Sequence, residues 1–126
     1  MSENEISRYI VLSAIEVHRT LGGPGLLESV YEEALAWELQ SQGLLVERQV
    51  QFPITYKGHL LGTKLRLDML IEGKVIIENK AVVKYHPIFA TQALTYLRLL
   101  DLRLALLINF GERYVRDGIH RIVNGL

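Results

Sequence analysis

The chain has 126 residues, 49% of them hydrophobic, with 14 basic and 14 acidic side chains and no cysteine. That length supports one hydrophobic core rather than two, so a single domain over residues 1–126 is expected. Without cysteine there is no disulfide framework, no thiolate zinc site and no cysteine nucleophile; any metal must be held by oxygen or histidine, and a reducing compartment is expected.

The start, MSENEISRYI, lacks the basic end and long apolar run of a signal peptide, and no apolar stretch is long enough to cross a bilayer, which predicts a cytoplasmic location. From Glu5 to about Leu21, apolar residues at Ile6, Ile10, Ala14 and Val17 keep helical spacing. LGGPG then ends this helix, with Gly22 or Gly23 as the left-handed residue and Pro24 suited to the first turn of the next. The second helix is predicted from about Leu26 to Gln42, stopped by Gly43.

After Gly43 the period changes. The segment from Leu44 to Val83 is rich in β-branched and aromatic residues and is punctuated by YKGH and IEGK, so it reads as three strands joined by hairpins. Pro53 marks the first strand as an edge or bulged strand. HPIFATQALTYLRLL opens on proline and spaces Ile88, Gln92 and Tyr96 by four, which makes a third helix. RLALLINF is almost wholly apolar and reads as a central strand, and the ending ERYVRDGIHRIVNGL adds a strand or turn. The order ααβββαβ predicts an α/β fold, a mixed β-sheet with flanking helices, whose last strand lies parallel to one of the meander because a helix carries the chain across.

Charge is unevenly spread. Residues 1–47 carry two basic and eight acidic groups, whereas residues 48–126 carry twelve and six. Either the later part presents a basic face, or the helices simply carry more glutamate on their solvated sides.

The strand VIIENKAVV sets Glu78, Asn79 and Lys80 among apolar residues, and such groups cost several kcal/mol, of order 2–7, unless each finds a partner. Along the preceding strand, predicted from about Leu60 to Ile71, strict alternation puts Leu65, Leu67, Met69 and Ile71 on one face, with Arg66, Asp68 and Leu70 on the other. Ile76, Glu78 and Lys80 share a face of the next. A three-residue EGK loop pairs Ile71 with Val75 and sets Asp68 opposite Glu78; a two-residue loop pairs Asp68 with Ile77 and breaks the constellation. Facing carboxylates need something positive beside them, either a divalent cation or Lys80. The competing reading is a half-buried ion pair of Glu78 with Lys80. Glu28 and Tyr31 lie one turn apart in the second helix, as do Gln92 and Tyr96 in the third, and both pairs could face the same place.

Together these residues resemble a known family. GLLESVYEEAL, with Gly25, Glu28 and Tyr31, is similar to the G-x-x-E-x-x-Y signature of the GxxExxY family of small prokaryotic proteins, placed within the PD-(D/E)xK nuclease superfamily. The resemblance extends from the first helix through LLINFG and DGIHRIVN and implies a restriction-endonuclease-like core. It also implies that Asp68 and Glu78 are metal-binding acidic residues, Lys80 the lysine of the E-x-K element, Glu28 the helix glutamate that completes the metal site, and Gln92 with Tyr96 the Q-x-x-x-Y element. Leu67 replaces the proline often found before the first acidic residue, and Asn79 stands where an apolar residue is usual and should point to the opposite face.

The resemblance implies a metal-dependent nuclease that hydrolyses phosphodiester bonds. Oxygen ligands from Glu28, Asp68 and Glu78, with the backbone carbonyl of Asn79, suit Mg²⁺ or Mn²⁺. Lys80 would orient the nucleophile and offset negative charge. Lys57, Lys64 and Arg66 near the YKGH hairpin, with Lys84 and Tyr31, are candidate contacts to nucleic acid, expected to be DNA, read by charge rather than by base edges. The alternative is a non-catalytic nucleic-acid-binding or protein-binding module that keeps the acidic pocket, and a homodimer building one groove from two subunits is a further possibility. The histidines His18, His59, His86 and His120 show no metal-ligand spacing, and no phosphate-binding glycine loop of the nucleotide-binding kinds occurs.

Overall fold

The computed structural model describes residues 1–126. Helix α1 spans Glu3–Thr20 and α2 Glu28–Ser41; strands follow at β1 Val46–Phe52, β2 Thr55–Tyr56, β3 His59–Leu60, β4 Leu65–Ile71 and β5 Val75–Lys80; then come α3 Ile88–Leu100, β6 Leu104–Asn109, a short 3-10 turn Val115–Gly118 and β7 Ile119–Val123. Five strands form one mixed sheet in the order β1-β4-β5-β6-β7, and β2 with β3 form a separate hairpin. Only the β5 and β6 pair is parallel, joined through α3 as the sequence predicts. This mixed α/β architecture is consistent with a restriction-endonuclease-like core. No helix is long and apolar enough to cross a membrane.

The helices cover both faces of the sheet. Ile6, Ile10, Ala14 and Val17 of α1 and Tyr31, Leu35 and Leu39 of α2 pack on Met69, Ile71, Val75, Ile77, Leu106 and Ile108. On the other face, Ala93 and Leu97 of α3 pack on Leu65, Leu67, Leu70, Ile76, Ala105 and Leu107. Every residue of β6 is buried because helices lie on both sides of it. Ser2 caps α1, its hydroxyl accepting from the Glu5 N–H at 3.1 Å.

Three expectations are corrected. The strand predicted from about Leu60 begins at Leu65, because β2 and β3 turn back on each other through Lys57 and Gly58, both in the left-handed conformation. Pro24 is not in the first turn of α2: Gly22, Gly23 and Gly25 all have positive φ and extend the loop to Leu27, leaving Glu28 to open the helix. The alternation in β4 is not strict either. Leu65 and Leu67 face α3, whereas Met69 and Ile71 face α1 and α2. The switch occurs at Asp68, opposite Gln49, whose φ of 51° turns β1 over at the same level, so the register on both sides of the switch is unchanged. Gln49 is held there by its amide on Glu32, which also accepts from Arg48 at 3.1 and 3.2 Å, tying α2 to the edge strand.

Candidate active site

The turn after β4 decides the central constellation. Ile71 pairs with Val75 and Met69 with Ile77, so Glu72, Gly73 and Lys74 form a three-residue connection and Asp68 falls level with Glu78. Glu72 as well as Gly73 takes a positive φ there. Backbone pairing ends at Met69. One step further, the Asp68 carboxylate turns into the ladder and Oδ2 accepts the Asn79 N–H at 2.8 Å. A side chain thereby replaces a backbone partner, which fixes Asp68 against the strand that carries Glu78.

Glu78 is buried, and its Oε1 has no hydrogen-bond partner. Burial in the first place, and the Asp68 carboxylate in the second, push its pKa up to about 9. The ion pair considered as the alternative does not form: the chain's two ion pairs are Arg19 with Glu16 and Arg48 with Glu32. Lys80 instead lies over the Phe89 ring of α3, with Nζ 4.6 Å from the centroid. It remains close enough to the carboxylates to oppose their rise in pKa. Glu78 and Lys80 thus share the α3 face, as alternation along β5 predicts.

Asn79 points the other way. It is fully buried toward α1 and α2, with Nδ2 3.2 Å from the Met69 sulfur and Oδ1 unpartnered. Glu28, at the head of α2, is exposed. Burial and then Asp68 raise its pKa while Lys80 and Arg66 lower it, so it stands within electrostatic reach of the same centre. Tyr96 is half-buried on α3, and its hydroxyl is held protonated above its ordinary range by burial and by Glu78 and Asp68. Gln92, one turn earlier, is exposed on the same helix. His86 stands just before α3 and accepts the Ile88 N–H at 3.0 Å.

Tyr31 does not belong among the nucleic-acid contacts. Its ring is fully buried, stacked on Phe110 with centroids 4.7 Å apart, and its hydroxyl donates to the Gly23 carbonyl at 2.7 Å while accepting the Leu26 N–H at 3.1 Å. It pins the glycine loop that leads to Glu28. Lys57, Lys64, Arg66 and Lys84 are all exposed. Lys57 rests beside Tyr56 in the small hairpin, Arg66 acts electrostatically on Glu28 and Tyr96, and Lys84 lies in the loop after β5.

Sequence reasoning passed over Asn109, level with Lys80 on the parallel strand. Its Oδ1 accepts the Val82 N–H at 3.0 Å and the Gly111 N–H at 2.9 Å, and its Nδ2 donates to the Val82 carbonyl at 3.0 Å. The Phe110 N–H donates to the Lys80 carbonyl at 2.8 Å. A Cβ at Gly111 would stand 2.3 Å from the Val82 carbonyl oxygen, so only glycine lets the two chains close. The available signal was a polar residue ending an apolar strand two residues before a glycine.

No three His, Asp or Glu side chains form a ready-made metal cage. Asp68 and Glu78 do fit a hard divalent cation: their donors are all oxygen, one is a buried orphan, and the cost of ionising Glu78 is what a cation would remove.

No curated protein and no solved structure matches the chain. A family model of the PD-(D/E)XK nuclease superfamily matches residues 4–122, nearly the whole length and every element from α1 into β7. The chain belongs to the PD-(D/E)XK nuclease superfamily.

Proposed function

We propose that the protein is a metal-dependent nuclease of the GxxExxY type that hydrolyses phosphodiester bonds of nucleic acid, DNA in the first instance, without strong sequence specificity. The observation that carries this reading is the unpartnered Oε1 of buried Glu78 beside Asp68, with Lys80 left free of any carboxylate. Superfamily membership supports the class of reaction.

Asp68 and Glu78, completed by Glu28 and the backbone carbonyl of Asn79, would hold Mg²⁺ or Mn²⁺, which supplies Lewis-acid polarisation of the phosphate and a lowered pKa for water. Lys80 is placed to orient the attacking water and to offset charge building on the phosphate. Gln92 is suited to a phosphate oxygen or the water. Tyr96, kept protonated by its neighbours, can donate a hydrogen bond. Water adds to phosphorus, the bond to the leaving oxygen breaks, and a proton restores that oxygen as a hydroxyl. Arg66, Lys57, Lys64 and Lys84 supply exposed positive charge for the backbone of the substrate.

Cleavage of linear and circular, single-stranded and double-stranded DNA, with Mn²⁺ or Mg²⁺ and with EDTA, tests the reading. Activity is expected only with metal, and Asp68→Ala or Lys80→Ala should reduce it by about 10²-fold or more, the loss typical of removing one transition-state contact. Activity that survives Asp68→Ala or EDTA would sink it. One observation favours a second reading, a binding module that retains the pocket: the acidic groups are not gathered as a three-ligand cage, and Glu28 stands exposed. Tight nucleic-acid or protein binding with no turnover under any of these conditions would favour that module.

A further inference from the structure

A cleft of about 570 Å³ lies between the end of α1 and the segment after β6, and neither Asp68 nor Glu78 lines it. Arg19, Arg113 and Arg116 line it together with His18 and Tyr114, and no carboxylate does. Arg19 is paired with Glu16 at 2.6 Å, but Arg113 and Arg116 have no ion pair. Tyr114 is 59% exposed, and Arg113 lies over its ring with the guanidinium carbon 5.2 Å from the centroid. Guanidinium groups beside an open aromatic face suit a phosphate linked to a planar base.

Its position connects it to the candidate active site. Both lie at the carboxyl ends of the parallel strands β5 and β6, where Lys80 and Asn109 stand level. Phe110 joins them: its N–H donates to the Lys80 carbonyl, and its own carbonyl lies 3.1 Å from His18 Nε2. The loop from Gly22 to Leu26 separates this cleft from a second hollow of about 430 Å³, which is lined by Pro24, Gly25 and Leu26 on one side and by Ala81 and Val82 on the other. Ala81 follows Lys80 directly. The two hollows thus flank the loop that Tyr31 pins, and the second reaches Ala81 and Val82 just past the carboxyl end of β5.

We infer that the Arg113, Tyr114 and Arg116 cleft is a strand-binding subsite that takes a phosphate and a stacked base of a single nucleic-acid strand, upstream or downstream of the bond to be cut. The inference rests on the nuclease reading for its substrate class, but the binding it asserts needs no turnover. It adds a backbone contact on the far side of the glycine loop to those of Arg66, Lys57, Lys64 and Lys84.

The test is binding of a fluorescent 12-nucleotide DNA strand in EDTA, measured over a range of salt. The proteins compared are the wild type, Arg113→Gln/Arg116→Gln, Tyr114→Ala, and Lys74→Gln/Arg98→Gln, which loses equal charge at the opposite end of the sheet. Melting curves verify that each is folded. The cleft double variant is expected to bind about tenfold or more weakly and to lose about 1.4 from the slope of log K against log salt, two single-strand phosphates at ~0.7 each. Tyr114→Ala should weaken binding about fivefold or more, in line with a lost base stack. The control should lose much less. Equal losses in the cleft and control variants, or an unchanged slope, would overturn the proposal. So would saturable AMP binding that the cleft substitutions abolish while strand binding survives, which marks a small-nucleotide site. If the wild type never cuts DNA with metal yet the slope difference holds, the nuclease reading fails and the subsite stands.

Discussion

Glu78 carries the largest electrostatic cost in the molecule, and that cost makes its role measurable without any substrate. Its pKa is about 9 in the folded protein against 4.5 for a free side chain. Because the folded state holds this proton more tightly than the unfolded state, the stabilisation is complete below about pH 4.5 and is lost as pH rises through 9. Glu28, raised by burial and by Asp68, adds to the same trend; Glu16, lowered by Arg19, acts in the opposite sense and only on the acid side. The metal-free protein should therefore melt at progressively lower temperature between pH 5 and pH 9. Glu78→Gln, a neutral copy of the protonated acid, should flatten this dependence and melt above wild type at pH 8 by about 4 °C for each kcal/mol relieved. Mn²⁺ should raise the wild-type melting temperature at pH 8, and should do so far less in Glu78→Gln or Asp68→Asn, since only an ionised pair attracts the cation. A wild-type melting temperature that is flat with pH in EDTA would show that Glu78 is not held in this way.

At the level of elements, the sequence reads well where one residue type carries one meaning. The apolar spacing of α1 predicts Glu5 to Leu21 against the observed Glu3–Thr20, and the unbroken apolar run of RLALLINF becomes β6, buried throughout and parallel to β5. Asp68, Glu78 and Lys80 are legible because charge inside an apolar strand needs a reason. The reversal of β4 at Asp68 is not legible, since it depends on Gln49, a residue with no special liking for a positive φ, being held over by Glu32 of a distant helix. Tyr31 misleads for a related reason: its place in the G-x-x-E-x-x-Y spacing suggests ligand contact, while its hydroxyl is taken up by the loop five to eight residues earlier. Asn109 was passed over because asparagine two residues before a glycine, at the end of a strand, ordinarily marks a turn. Here it closes β6 onto the chain leaving β5. Asn109→Ala strips both backbone groups of Val82 of a partner and should cost about 1–3 kcal/mol in chemical denaturation. If the nuclease reading holds, it should also slow cleavage about tenfold with little change in KM, because the end of the strand bearing Lys80 is loosened while the binding groups are untouched. A loss of stability with unchanged cleavage would restrict Asn109 to holding the fold.

Across the whole molecule, charge and packing are divided by the same sheet. The acidic first part, residues 1–47, supplies the two helices on one face, and the basic remainder supplies the sheet and α3. The two cores on either side share no side chain, yet both are built on alternate residues of the same strands, Ile76 facing α3 and Ile77 facing α1 and α2, Leu107 and Leu106 likewise. Neither layer can come away without exposing the back of strands that the other needs flat. We therefore propose that residues 1–126 unfold as one domain in one transition. Leu106→Ala empties space in the larger core and Leu97→Ala in the smaller, each by deleting a buried side chain at a cost of about 2–5 kcal/mol. Followed by far-ultraviolet circular dichroism, by calorimetry and by the fluorescence of Trp37 on α2, both variants should shift a single transition to lower denaturant or temperature, with all probes coincident. A transition that splits in Leu97→Ala, with the Trp37 signal staying at the wild-type midpoint, would show that α3 detaches as a separate unit, and would make the pairing of Lys80 with Phe89 and the approach of Tyr96 to Glu78 properties of a subdomain that opens.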